Sequence, residues 1–102
     1  MRKSRAPSKA TRSALITLLD APQGMHGYEI MQLAGIKPGT LYPMLARLED
    51  QDMLVSHWQD AGVEGRPPRH IYRLSENGRA FARSLMDEMH STSHAQLRSK
   101  PI

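Results

Sequence analysis

Two short helical patterns are separated by only three residues, and this spacing constrains the fold more than any other feature of the sequence. The first pattern spans residues 28–34, and Gly35 directly after it is placed to end a helix in the left-handed conformation. The second begins at Pro38, a residue favoured at the first position of a helix because its missing N–H would have no partner there. Helix, three-residue turn and helix is the layout of a helix-turn-helix motif.

The flanking segments complete the predicted fold. A helical repeat of apolar residues begins near Lys9 and stops before Pro22. Residues 53–59 and 70–74 are rich in Val, Ile, Trp and Tyr and predict two strands, joined by a loop with two glycines and two prolines. Ser75 is a suitable N-cap for a last helix. We predict a mainly α fold with a small β-hairpin: a winged helix-turn-helix with a three-helix core, a two-stranded wing and a C-terminal dimerisation helix.

Positive charge is concentrated in two stretches of the chain. The 102 residues include 14 Lys and Arg against 10 Asp and Glu, a formal net charge of +4. Residues 1–12 carry five basic side chains and no acid, and residues 65–73 carry three basic side chains and no acid. Such patches suit a polyanion, and double-stranded DNA is the partner that they predict.

The second helix of the motif has a buried stripe of leucines and a side that is open to a ligand. In a helix-turn-helix domain the N-terminal residues of this helix point toward base edges. A first turn that holds Pro38, Gly39 and Pro43 has few bulky side chains, so it can approach DNA closely; the alternative is that these residues merely start a helix. The residues outside the leucine stripe are Thr40, Tyr42, Pro43 and Arg47.

These patterns divide the chain into four predicted parts. Residues 1–8 form a basic flexible arm, residues 9–75 the DNA-binding domain, residues 76–94 the C-terminal helix and residues 95–102 a flexible tail. The last helix carries an apolar stripe larger than a three-helix core needs, which indicates a homodimer joined through Phe81, Leu85 and Met89. The alternative is that Phe81 and Leu85 pack within one chain and leave only Met89.

Three segments resemble the PadR family of bacterial transcriptional regulators in sequence, order and spacing. They are HGYEI at residues 26–30, PGTLYPMLARLED at residues 38–50 and GRPPRHIYRLSENGR at residues 65–79. The resemblance covers roughly residues 15–85. It implies a winged-helix repressor, usually a homodimer, that binds a pseudo-palindromic operator. In that family the TLYP helix reads DNA and the Gly-Arg wing touches the backbone or minor groove, roles that fall here on Thr40, Leu41, Tyr42, Pro43, Gly65 and Arg66.

The complete predicted set of DNA-binding residues joins these positions to the basic residues beside them. It consists of Lys37, Pro38, Gly39, Thr40, Leu41, Tyr42, Pro43, Arg47, Gly65, Arg66 and Arg69. Lys37 stands where the family commonly has a capping Ser, so a helix cap is lost and a phosphate-seeking charge is gained. Asp52 stands where Gly is common, and Asp tolerates a left-handed conformation better than most side chains.

Other classes of function are less well supported by the sequence. No phosphate-binding Gly loop, nucleophile elbow or HExxH pair is present, so neither an enzyme nor a cofactor is expected. Asp87, His90 and His94 lie at i, i+3 and i+7 and are weak candidates for a zinc or nickel site in a metal-responsive regulator. A winged helix that grips protein is the remaining alternative. Because no apolar run approaches the ~18 residues of a membrane span, we expect a cytoplasmic protein with no membrane partner; any small-molecule effector is unknown.

Overall fold

The computed structural model describes residues 7–60, 62 and 64–99, with side chains as far as residue 89. Its elements form a mostly helical fold with one small antiparallel sheet, as the sequence predicts. In chain order they are α1 (Lys9–Leu19), β1 (Met25–His26), α2 (Gly27–Ala34), α3 (Pro38–Asp50), β2 (Leu54–Gln59), β3 (Arg69–Leu74) and α4 (Glu76–Ser99).

The helix α1 is the centre of the packing. Its start is capped by Ser8, whose Oγ accepts a hydrogen bond from the backbone N–H of Thr11 at 3.1 Å. The face that includes Leu15 and Leu18 is fully buried and packs against α2 and α4. Burial of each such leucine contributes about 1.5–3 kcal/mol to folding, so α1 holds the helix-turn-helix and the C-terminal helix together.

The turn between α2 and α3 is built as the sequence predicts. Gly35 adopts the left-handed conformation with φ 69° and ψ 41°, and its backbone N–H donates to the carbonyl of Met31. The hydroxyl of Ser13 on α1 donates to the carbonyl of Ala34 at 3.1 Å, which ties the end of α2 to the core. Because the start of the turn is fixed to the core and Ile36 within the turn is buried, the direction in which α3 leaves the turn is constrained.

Helix α3 runs unbroken from Pro38 to Asp50 although Pro43 lies inside it. Proline at this position removes the backbone donor to the carbonyl of Gly39. Lys37 makes no side-chain cap, as the sequence implies. At the other end Asp52 takes the left-handed conformation that was expected of it, with φ 64°.

The sheet has three strands in the order β1-β3-β2, one more than the sequence predicts. The additional strand is β1, where Met25 pairs with Tyr72 and His26 pairs with Ile71. A two-residue strand is too short to show a period of two, so no pattern in the sequence marks it. Its effect is to place the start of α2 beside the middle of β3.

The helix α4 extends further than the sequence predicts. We expected it to end at residue 94 and a flexible tail to follow, but the helical backbone continues through Ser99. The apolar stripe ends at Met89, and the more polar sequence that follows has no helical period by which the end of the helix could be placed. At 24 residues, α4 is about 36 Å long.

Gly78 in the first turn of α4 should be intolerant of a side chain. A Cβ at this position would overlap the backbone carbonyl of Met53. We expect Gly78→Ala to lower the free energy of unfolding by about 1–3 kcal/mol, because the backbone must shift to accept the methyl group. Urea denaturation followed by circular dichroism measures the change.

Gly39→Ala is the matched control, because a Cβ at Gly39 meets no atom within 4 Å. We expect this variant to be as stable as the unmodified protein or up to ~1 kcal/mol more stable. Equal stability of the two variants would contradict the close approach of α4 to Met53.

Candidate nucleic-acid interface

The outward side of α3 is lined by small residues. Successive residues of a helix are rotated by about 100°, so Gly39, Pro43 and Ala46 fall on one line, opposite the buried side chains of Leu41 and Leu45. All three small residues are exposed. We call this line the slim face of α3. With nothing larger than a proline ring along it, the helix axis can come close to a neighbouring molecule.

Two clefts lie on the α1 side of the slim face. Lys37 and Thr40 line a cleft of about 450 Å³ together with Lys9 of α1. Arg47, which is exposed, lines another cleft of about 230 Å³ with Phe81 of α4. Lysine and arginine side chains therefore border the slim face on this side, from the turn before α3 to the middle of the helix.

Tyr42 borders the slim face on the opposite side, toward the sheet. Its ring packs against Gly27 at the start of α2, where an added Cβ would come within 2.8 Å of the ring carbon Cε1. The side chain is still 45% exposed. It opens onto a cleft of about 410 Å³ whose other walls include His26, Arg69, His70 and Tyr72. We call this the tyrosine-histidine cleft.

The wing carries the remaining predicted residues. Gly65 lies in the loop between β2 and β3 with φ 87°, a conformation that suits glycine, and Arg66 and Arg69 are exposed. Trp58 of β2 stacks on His70 of β3, with ring centroids 4.5 Å apart and planes inclined by 14°. The arginines of the wing are therefore displayed beside an exposed aromatic pair.

Two assignments made from the sequence are corrected by burial. Leu41 is fully buried, so its side chain holds α3 on the core and does not face a ligand. Leu85 is only 4% exposed and packs within the chain, and Phe81 is partly buried against the same core. Of the three predicted dimerisation residues, Met89 keeps a large exposed fraction, 48%. The alternative interpretation of the last helix, in which Phe81 and Leu85 pack within one chain, is therefore the one observed.

Three acidic residues, Glu49, Asp50 and Asp52, lie at or just after the C-terminal end of α3. Glu49 accepts a hydrogen bond from the hydroxyl of Ser56 at 2.6 Å, which links α3 to β2. Asp52 accepts a hydrogen bond from the side-chain amide of Asn77 at 3.1 Å. The charge along α3 therefore runs from basic at its N-terminal turn to acidic at its end.

The predicted metal site lies largely outside the described side chains. Asp87 is exposed, whereas the side chains of His90 and His94 are not among those described. Over the described residues no three His, Cys, Asp or Glu side chains form a group able to hold a metal ion. In the same part of the chain no helix has both the length and the apolar character that crossing a membrane requires.

Sequence reasoning missed His26, His70 and Tyr72 as members of a site. Tyr72 is 7% exposed, and its hydroxyl lies 3.2 Å from Nδ1 of His70. Burial raises the pKa of Tyr72 above its ordinary value of 10.0, and the charges of ionised Tyr42 and Glu49 raise it further. Residues 54, 56 and 58 of β2 pair with residues 74, 72 and 70 of β3, so these six side chains lie on one face of the hairpin. This alternation is the signal that could have placed His70 and Tyr72 on the α3 side of the sheet.

Comparison with known proteins identifies what this architecture resembles. A family model described as the transcriptional regulator PadR-like family matches residues 15–84. Transcriptional regulator Rv3488 of Mycobacterium tuberculosis is 46% identical over 55 residues, which cover 54% of this chain. The match spans 43% of that relative, less than half of its length.

Two solved structures share the fold over most of their length. A PadR family transcription regulator from Clostridium difficile is 22% identical, with a TM-score of 0.71 over 86% of this chain and 95% of the other. A PadR-like transcription factor from Bacteroides fragilis is 26% identical, with a TM-score of 0.66 over 90% of this chain and 92% of the other. The predicted winged helix-turn-helix fold is thereby confirmed.

The raised pKa of Tyr72 makes stability depend on pH in the alkaline range. The folded state holds the phenolic proton more tightly than the unfolded chain, so this contribution to stability is fully present below pH 10 and is lost as the pH rises through the folded pKa. We expect Tyr72→Phe to remove the latest-titrating component of the tyrosine absorbance change. The same variant should lose stability less steeply above pH 10. A wild-type titration in which all three tyrosines ionise in a single step near pH 10 would contradict the burial of this hydroxyl.

Proposed function

Because the chain belongs to the PadR-like family of transcriptional regulators, which are not enzymes, we propose that it binds double-stranded DNA sequence-specifically and represses transcription in the cytoplasm. The slim face of α3 is the observation that carries the proposal. An α-helix fits the major groove of B-DNA, where base edges can be distinguished. A helix edged by Gly39, Pro43 and Ala46 approaches the base edges with little steric hindrance.

The distribution of charge supports one docking direction. Lys37 and Lys9 lie by the N-terminal turn of α3, and Arg66 and Arg69 lie on the wing. Glu49 and Asp50 lie at the other end of α3 and would be repelled by phosphate. The N-terminal turn of α3 therefore enters the groove, and the wing arginines contact the sugar-phosphate backbone or the minor groove.

A homodimer on a pseudo-palindromic operator is part of the proposal. Met89 is 48% exposed and lies on the same face of α4 as the buried Ala82 and Leu85, while the helical backbone continues to Ser99. An exposed methionine on the core-facing side of a helix is apolar surface that association with a second chain removes from water. A second copy of α4 at Met89 would cover it, and the two α3 helices would then meet half-sites ~34 Å apart.

A winged helix that grips protein is the alternative, and salt dependence separates the two. Neutralised phosphates release counterions, so DNA binding weakens steeply with salt. The slope of log affinity against log salt concentration is negative. We expect each of Arg66→Ala and Arg69→Ala to make it less steep by about one unit. Binding to duplex DNA that does not weaken with salt would favour the alternative, a winged helix that binds a protein.

Ala46→Leu should weaken operator binding without affecting stability. The leucine would hold α3 away from the bases, and we expect an affinity loss of at least ~tenfold, or about 1.4 kcal/mol. Fluorescence anisotropy on a duplex selected by the wild-type protein from a random pool measures it. Ala80→Leu is the matched control, because Ala80 is exposed on α4 outside the interface. Equal binding by the two variants would contradict the slim face as the groove-facing surface.

Met89→Glu should dissociate the dimer. Light scattering coupled to gel filtration is expected to give twice the 11.5 kDa chain mass for the wild type and the single chain mass for the variant. A buried glutamate at the two-fold contact would have to be desolvated without a partner. Ala80→Glu, at an exposed position on the opposite side of α4, should stay dimeric. A monomeric wild-type protein would remove the dimer from the proposal.

A further inference from the structure

The tyrosine-histidine cleft has a defined position relative to the proposed DNA-binding elements. It lies between the start of α2, the N-terminal half of α3 and the strand β3. If α3 occupies the major groove and the wing reaches the minor groove, the sugar-phosphate strand that separates the two grooves passes between them. In that arrangement the cleft lies beside the sugar-phosphate strand of the DNA.

The walls of the cleft present hydrogen-bond donors. Tyr42 contributes a phenol and Arg69 a guanidinium, and neither makes a hydrogen bond to another side chain among the residues that the structure describes. His70 is held in place on two sides, by the stack on Trp58 and by the contact of its Nδ1 with the Tyr72 hydroxyl. Its Nε2 is the ring nitrogen left to face a ligand.

We propose that the tyrosine-histidine cleft binds a backbone phosphate of DNA through Tyr42, Arg69 and His70, and that His70 takes up a proton when the phosphate binds. This inference rests on the proposed DNA-binding function. Charge-assisted hydrogen bonds from Arg and protonated His to phosphate are stronger than neutral ones. Imidazole is the side chain whose charge ordinarily changes between about pH 5 and 8.

The surroundings of His70 couple its protonation to phosphate binding. An anion bound between the Arg69 guanidinium and the His70 imidazole, which line the same cleft, favours positive charge on both side chains. The stack on Trp58 gains a cation–π component when the ring is charged. The hydroxyl of Tyr72 accepts a hydrogen bond from the protonated Nδ1, and the raised pKa of this tyrosine keeps the hydroxyl neutral throughout the range.

The cleft contains a second histidine, His26, whose surroundings differ from those of His70. The carboxylate of Glu29 lies 3.7 Å from Nε2 of His26, while Nδ1 of His26 accepts from the backbone N–H of Glu29. Nδ1 of His26 is therefore occupied as the N-cap acceptor of α2, and Nε2 lies beside the Glu29 carboxylate. The other titratable groups that line the cleft are Arg69 and Tyr72 from β3, His26 from β1, Tyr28 from α2 and Tyr42 from α3; Glu29 lies beside His26, and the charge of Glu49 acts on Tyr72.

The test is the pH dependence of DNA binding at constant ionic strength. A fluorescein-labelled 30-bp generic duplex is titrated with the full chain between pH 7.8 and 5.8. We expect wild-type affinity to increase about fivefold to tenfold as the pH falls, because proton uptake and phosphate binding are reciprocally linked. In His70→Gln, which keeps a hydrogen-bond donor but gains no proton, most of this increase should disappear.

His57→Gln is the matched control, because His57 is exposed on the opposite face of the same hairpin and pairs with Ile71. It should keep the wild-type pH dependence. Calorimetry in two buffers of different ionisation enthalpy should show that the wild type and His57→Gln take up protons on binding DNA and that His70→Gln takes up fewer.

The possible results separate this inference from the proposed function. Binding that is salt-dependent but equally pH-dependent in wild type and His70→Gln would overturn the role of His70 and leave the DNA-binding function intact. Loss of DNA binding by the wild-type protein at every pH and low salt would overturn both. Circular dichroism of His70→Gln confirms that the variant is folded before the affinities are compared.

Discussion

The junction after α3 is the constraint on which the rest of the structure depends. The backbone N–H of Ser75 donates to the carbonyl of Met53, and its hydroxyl donates to the carbonyl of Asp52 at 2.6 Å while accepting from the N–H of Gly78. One serine therefore joins the end of α3, the base of the wing and the start of α4. Because the missing side chain of Gly78 lets these backbones meet, the angle between α3 and the wing is set by backbone contacts and not by flexible side chains.

The sequence predicted the elements whose signals are local. Gly35 and Pro38 mark the turn between α2 and α3, and each acts through its own backbone preference. The strand β1 was not predicted because it exists only through pairing with β3. The length of α4 was underestimated because its polar C-terminal part shows no apolar period.

The candidate site was predicted in part for the same reason. The exposed side of α3 follows from helical periodicity, so Thr40, Tyr42 and Arg47 could be separated from the leucine stripe. Leu41 shows the limit of residue-by-residue transfer from a family, since a position within a recognition motif can serve the core. The tyrosine-histidine cleft joins residues from three elements that are distant in the chain, and single-sequence patterns carry no information on such proximity.

The composition of the slim face has a consequence for the entropy of association. Long polar side chains that read DNA lose up to ~2 kcal/mol of rotamer freedom each when they are immobilised, whereas Gly, Ala and Pro have essentially none to lose. Gly39, Pro43 and Ala46 also lie on a helix whose backbone is already ordered. In the proposed complex, docking of this surface therefore freezes few internal motions, and the groove and the helix would meet as two preformed shapes.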